Sequence, residues 1–215
     1  MRRWTFQPVD KKMNVRSDSN YKTNWFIRLR VIALLLAALL FTNLSLPAQN
    51  ENAYVCTKGK IHFFSAAFTG DIEATSDLAI CVINTKTNKV FAKVRQATFS
   101  FKQKLMQEHF NENYMETDKF PYAILDMAIA EKPDYSKDGT FDITLKGTLE
   151  MHGAKVAREI SGKLVIKNGQ PVSATAMFYV KLADHKIKIP NIVGATVADQ
   201  VKVDVEFSFE KYKGD

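Results

Sequence analysis

TFSFKQKLMQEHFNENYMETDKFPYAILDM, residues Thr98 to Met127, decides the fold of this 215-residue chain. The opening TFSF alternates, so an extended backbone puts Phe99 and Phe101 on one side and Thr98 and Ser100 on the other. The period then changes. Met106, Phe110 and Tyr114 recur every fourth residue, with Leu105 and His109 beside them, and this predicts an apolar stripe along a helix of about three turns. Pro121 lacks an amide proton and forces Phe120 toward an extended conformation, so the helix must end before it and a strand begin near Tyr122.

Outward from that helix, every periodic segment reads as a strand. AYVC, KIHFFSAAF, DLAICVI and KVFAKVRQATFSF precede it; PYAILDMAIA, TFDITLKGTLEMHG, AKVAREISGKLVIKNG, PVSATAMFYVKL and VKVDVEFSFEK follow it. Turn residues separate them: Thr85 to Asn88, Asp138-Gly139, His152-Gly153, Asn168-Gly169 and Pro171. About eight or nine short strands without repeated βαβ alternation predict an all-β, antiparallel sandwich or barrel.

Alternation along the strands predicts which side faces inward. In the last strand Val201, Val203, Val205, Phe207 and Phe209 share one face, and Lys202, Asp204, Glu206, Ser208 and Glu210 the other. Phe141, Ile143 and Leu145 repeat the pattern, as do Ala174, Ala176, Phe178, Val180 and Leu182. Strands closing on themselves with apolar faces inward give an interior that either packs shut or holds one ligand. The small Ala174 and Ala176 among phenylalanines leave room, but small and large side chains also interdigitate in solid cores, and periodicity leaves both outcomes open.

The string LMQEHFNENYMETDKFP, with Met106, His109, Phe110, Tyr114, Lys119 and Pro121 in that spacing, resembles the helix and return strand of the YceI-like family of exported lipid-binding proteins. GKIHFFSAA (Gly59 to Ala67) resembles the family's first long strand, and GTLEMHGAKVARE (Gly147 to Glu159) its hairpin. With VKVDVEFSFEK the similarity spans roughly residues 53 to 211. The resemblance implies a lipocalin-like antiparallel β-barrel of about eight strands with one short helix inserted. It also implies an elongated apolar cavity, with a polyisoprenoid or other long-chain lipid as ligand. The cavity-lining candidates are then Phe99, Phe101, Met106, Phe110, Tyr114, Phe141, Ile143, Phe178, Val203, Val205 and Phe207. Burying a dozen lipid carbons at about 0.8 kcal/mol each supplies roughly 10 kcal/mol before ordering costs, and micromolar binding needs about 8 kcal/mol, so no polar contact is required for useful affinity.

One segment departs from the family pattern. Where many relatives carry an Arg-Ser-x-Phe-Gly-like element before the last strand, this chain has ADHKIKIPNIVGATVADQ (Ala183 to Gln200). KIKIP alternates, with Lys186 and Lys188 either solvated at a strand edge, the commoner case, or meeting an anionic head group, and Ile192 to Gln200 reads as a short amphipathic helical turn. The segment is expected to shape a barrel mouth, and its difference leaves the ligand's identity open.

Residues 1–48 read as a leader with its hydrophobic region at 31–46. VIALLLAALLFT follows Arg28 and Arg30, and an apolar run of about 12 to 16 residues is shorter than the roughly 20 that span a bilayer, so it fits a secretory signal peptide cut near Ala48 and Gln49. Met13 is an alternative initiator. Uncleaved, the leader would be the only membrane contact; cleaved, it leaves a periplasmic or secreted domain over residues 49–215. Eight of the 30 Lys and Arg and two of the 23 Asp and Glu fall in residues 1–48, which leaves 22 against 21, a net of +1 instead of +7. A nucleic-acid partner needs a basic domain face and loses its support.

Cys56 and Cys81 allow one disulfide, although AYVC and LAIC are surroundings in which a buried free thiol is commoner. No Gly-x-Ser-x-Gly, Walker-type loop, His-Glu-x-x-His or Cys-x-x-Cys is present. Glu108, His109 and Glu112 offer at most two metal ligands on one helix face. His62, His109, His152 and His185 are far apart in sequence. The chain therefore reads as a non-enzymatic binding protein without metal or cofactor beyond a bound lipid, and a homodimer is compatible with it. The alternative is a filled barrel serving as an interaction module of the cell envelope.

Overall fold

The computed structural model describes residues 52–66, 71–188 and 198–214. The leader, residues 1–48, and most of the Ile192 to Gln200 segment lie outside the described residues. Among the described residues ten strands form one antiparallel sheet: β1 Ala53–Ser65, β2 Ile72–Asn84, β3 Lys89–Arg95, β4 Ser100–Phe101, β5 Tyr122–Ile129, β6 Gly139–Met151, β7 Ala154–Lys167, β8 Gln170–Lys181, β9 Gln200–Ser208 and β10 Glu210–Lys211. Helix α1, Lys104–His109, runs directly into a π turn, Phe110–Tyr114.

The sheet closes. β1 pairs with β9 on one side, Phe63 opposite Val203, and with β2 on the other, Phe63 opposite Ala74. Around the barrel the order is β1, β2, β3, β5, β6, β7, β8, β9, while the two-residue β4 and β10 extend the edges of β2 and β1. Eight strands enclose an interior just wide enough to be filled by side chains or to hold one small ligand.

Turn chemistry sets the hairpins as the sequence predicts. His152-Gly153 has φ of 50° and 68°, and Asn168-Gly169 has 52° and 75°. Two consecutive residues with positive φ make the turn that matches the twist of adjoining strands, and Asn and Gly tolerate it best.

Three segments differ from the sequence reading, and in each the inward-facing parity changes. AYVC and KIHFFS are one strand, β1. Tyr54 and Cys56 face inward on even positions, Ile61 and Phe63 on odd ones, and the register slips on both sides of Gly59. Gly59 allows this because the Phe207 ring lies over it, where a Cβ would sit 2.4 Å away. KVFAKVRQATFSF is not one strand either. A single 3₁₀ turn, Gln96–Thr98, ends β3 and delivers the chain to β4, fixed by Thr98 Oγ1 donating to Arg95 O at 2.6 Å and by the Gln96 amide donating to Pro121 O at 2.8 Å. Lastly, the chain after β8 forms a 3₁₀ turn, Leu182–His185, capped by Lys186 with φ of 59°, so Lys186 to Lys188 form no strand edge; Ile189 and Pro190 lie outside the described residues. Ile187 is buried there, and Lys186 and Lys188 are exposed.

Cys56 and Cys81 sit directly opposite each other across β1 and β2. Both are free thiols, and both are buried. Burial, with the Cys56 sulfur adding to it, pushes the Cys81 thiol up to about 12, so Cys81 does not carry the exposed thiolate that reactive cysteines use.

Candidate functional site

Every strand of the closed barrel, with β4 and α1, contributes to the wall of one internal cavity of about 210 Å³. Val201, Val203, Val205 and Phe207 line it from β9, and Ala174, Ala176, Phe178 and Val180 from β8. The alternate residues Lys202, Asp204 and Glu206 of β9 lie on the opposite face, where Lys202 pairs with Asp204 at 3.0 Å and His62 lies 3.8 Å from it. This is the pleat's period of two turned into an inside and an outside.

An aromatic cluster occupies the end of the cavity beneath the helix. Phe110 stacks on Phe63 with ring centres 5.5 Å apart and packs on Phe101 at 5.0 Å and Phe99 at 5.9 Å; Phe63 meets Phe99 at 5.3 Å. Offset and tilted ring pairs at these separations are favourable beyond their buried area. The π turn starts at Phe110, and the Met115 amide donates to Phe110 O at 2.9 Å. This wider turn lets Phe110, Tyr114 and Met115 all reach the cavity from so short a helix. Burial at that wall pushes the Tyr114 phenol up.

Of the candidates read from sequence, the structure brings Phe99, Phe101, Met106, Phe110, Tyr114, Ile143, Phe178, Val203, Val205 and Phe207 onto one wall. Phe141 is the exception. It stands two residues inside the start of β6 and packs against the core cluster without lining the cavity. Sequence reasoning missed Ile61, Phe63, Leu125, Leu149 and Met151 as lining residues. The alternation of Ile61 and Phe63 in KIHFF is a signal that could have found the first two. It missed Gln96 and Ser65 as well, both buried polar residues on the same wall.

Outside the cavity, the β6–β7 turn, the Leu182–His185 turn and the chain after the helix meet in a polar cluster. His152 donates from Nδ1 to His185 O at 3.1 Å, its Nε2 lies 3.2 Å from Glu116, and Phe120 packs on its ring at 4.6 Å. Lys119, pairing first, and His152 hold the Glu116 carboxyl below its ordinary value. Arg158 pairs with Asp184 at 3.1 Å. His185 is fully buried, donating from Nδ1 to Ala154 O at 3.2 Å, and its Nε2 has no partner among the described residues. A proton on Nε2 would be a buried unpaired charge, so desolvation, aided by Arg158, lowers the His185 pKa. The unfolded chain takes up that proton near pH 6.5 and the barrel only at lower pH, so stability is full above about 6.5 and falls as the pH drops through that value. Thermal melts between pH 7.5 and 5.5 are expected to show this fall, and His185→Gln to flatten it. Equal slopes in both proteins would contradict the assignment. Among the described residues, no three His, Cys, Asp or Glu side chains are grouped as a metal ion would require.

The sequence profile of the YceI-like domain matches residues 49–209. The chain belongs to the YceI-like family. Its YceI-like barrel is similar to the structure of a polyisoprenoid-binding domain from Saccharophagus degradans implicated in plant cell wall breakdown. The TM-score is 0.61 at 14% identity, over 75% of this chain and 99% of that one. It is also similar to BcnA of Burkholderia cenocepacia, with a TM-score of 0.53 at 14% identity, over 69% of this chain and 94% of that one. At these identities the likeness is one of fold. No curated protein matches the chain.

Proposed function

We propose that this protein is an exported, non-enzymatic carrier that holds a long apolar ligand, a polyisoprenoid or other long-chain lipid, inside its barrel. The observation that carries the reading is the predominantly apolar wall, contributed by all eight barrel strands and the helix around one cavity. Family membership and the polyisoprenoid-binding domain of like fold support it. Export rests on the basic-flanked apolar run at residues 31–46.

The cavity's size bears on how the ligand enters. About 210 Å³ exceeds the ~150 Å³ of an apolar cavity known to take up benzene but falls short of the ~300–1,000 Å³ of typical ligand sites. A long chain therefore has to push lining side chains apart, and the unbranched Met106, Met115 and Met151 are the most adaptable of these. The same size favours a second reading, a barrel that stays filled and works through its outer surface.

Mass spectrometry of lipid extracts from protein purified from its native envelope separates the two. Recovery of a stoichiometric isoprenoid or acyl lipid is expected. Ligand-free protein that also takes up no isoprenoid or acyl chain would establish the filled barrel.

A further inference from the structure

Two polar groups are sealed into the apolar wall. Gln96 and Ser65 are each 2% exposed, and Gln96 Nε2 and Ser65 Oγ have no hydrogen-bond partner among the described residues. The Gln96 backbone is pinned at both ends: its amide donates to Pro121 O at 2.8 Å, and its carbonyl accepts from the Phe99 amide at 3.2 Å. These bonds fix the point on the backbone from which the side chain enters the wall. An unpaired buried amide is unfavourable, and leucine would fill the same space without that penalty.

Little charge reaches the same wall. Among its lining Lys93 is the one charged residue, and its ammonium lies 3.7 Å over the ring of Tyr122, an exposed residue that is not part of the lining. A phosphate brought inside would be stripped of water with no cation to receive it. A neutral oxygen loses little hydration and gives the Gln96 amide the partner it lacks. A hydroxyl serves either orientation of that amide, since it both donates and accepts.

We infer that Gln96, with Ser65 at the same end of the barrel, forms a hydrogen-bonding subsite for a neutral oxygen on the ligand. The ligand class is then a long-chain alcohol or carbonyl-bearing lipid, with phosphate esters excluded from the interior. This rests on the carrier reading above, to which it adds the chemistry of the ligand's polar end.

The test measures binding of geranylgeraniol, geranylgeranyl phosphate and the matching oxygen-free hydrocarbon to the full chain and to Gln96→Leu. The native protein is expected to bind the alcohol about tenfold tighter than the hydrocarbon and to bind the phosphate more weakly than the alcohol. Gln96→Leu is expected to lose the tenfold preference while its affinity for the hydrocarbon is unchanged and its melting temperature is equal or higher. Gln96→Met gives the same comparison with an unbranched side chain should the leucine variant fail to fold. Equal affinity of the native protein for alcohol and hydrocarbon overturns the subsite and leaves the carrier intact. So does a preference that survives the substitution, or tightest binding of the phosphate. Binding of none of the three overturns both.

Discussion

Gly147→Ala is expected to destabilise the barrel by about 3 kcal/mol, the upper range for forcing atoms into a packed site. Gly147 lies in β6 opposite Met127 of β5, where an added Cβ would stand 2.2 Å from Asp126 O and 2.6 Å from Met127 Cα. Both obstacles are backbone. A crowded side chain can rotate away, but here β5 and β6 have to separate and give up ladder hydrogen bonds. For a domain of this size the melting temperature should fall by roughly 6–12 °C. Lys146→Ala is the control, since this exposed neighbour pairs among the described residues with Glu159 at the surface and should change stability by no more than about 0.5 kcal/mol. A melting temperature for Gly147→Ala within the control's range would mean that β5 and β6 are farther apart than described.

Ala176→Phe should weaken binding of an isoprenoid or acyl chain about 100-fold. Ala176 lines the cavity from β8, between Gly162 of β7 and Val205 of β9. A phenyl ring there occupies space for about four ligand carbons, roughly 3 kcal/mol of burial at ~0.8 kcal/mol each. Stability distinguishes the mechanisms. If the interior has room, the ring makes new contacts and the melting temperature stays level or rises. If the barrel is already filled, overpacking costs about 1–3 kcal/mol and the melting temperature drops. Titration with a fluorescent long-chain lipid, with a thermal melt beside it, reads both. Undiminished binding would place the ligand outside the barrel.

Strict alternation made the barrel legible. β9 shows it most plainly, because Val201 to Phe207 alternate without interruption and the strand itself runs without a bulge. The period of the helix was legible for the same reason. What escaped were the places where inward parity changes by one residue: between Cys56 and Ile61 in β1, between Ser76 and Ala79 in β2, and between Val94 and Phe99 around the Gln96–Thr98 turn. A window that counts alternation averages over one extra residue, and only the cross-strand register reveals it. Phe141 misled for another reason: periodicity gives the face of a strand but not the height along the barrel axis at which the hollow ends. Gln96 could not be found by looking for apolar side chains. The steric part played by Gly147 is invisible without its neighbour Met127.

Closure through β1 has a consequence for how the chain folds. Phe63 waits for Val203, 140 positions later, before the circle can be completed. Hairpins such as β6–β7 assemble from neighbours, whereas this last seam gains nothing until almost the whole polypeptide has emerged, and such distant pairings are slow because their entropy is lost first. A nascent chain lacking β9 therefore remains an open sheet with two raw edges. Until the seam closes, those edges are the part of the chain most prone to aggregate.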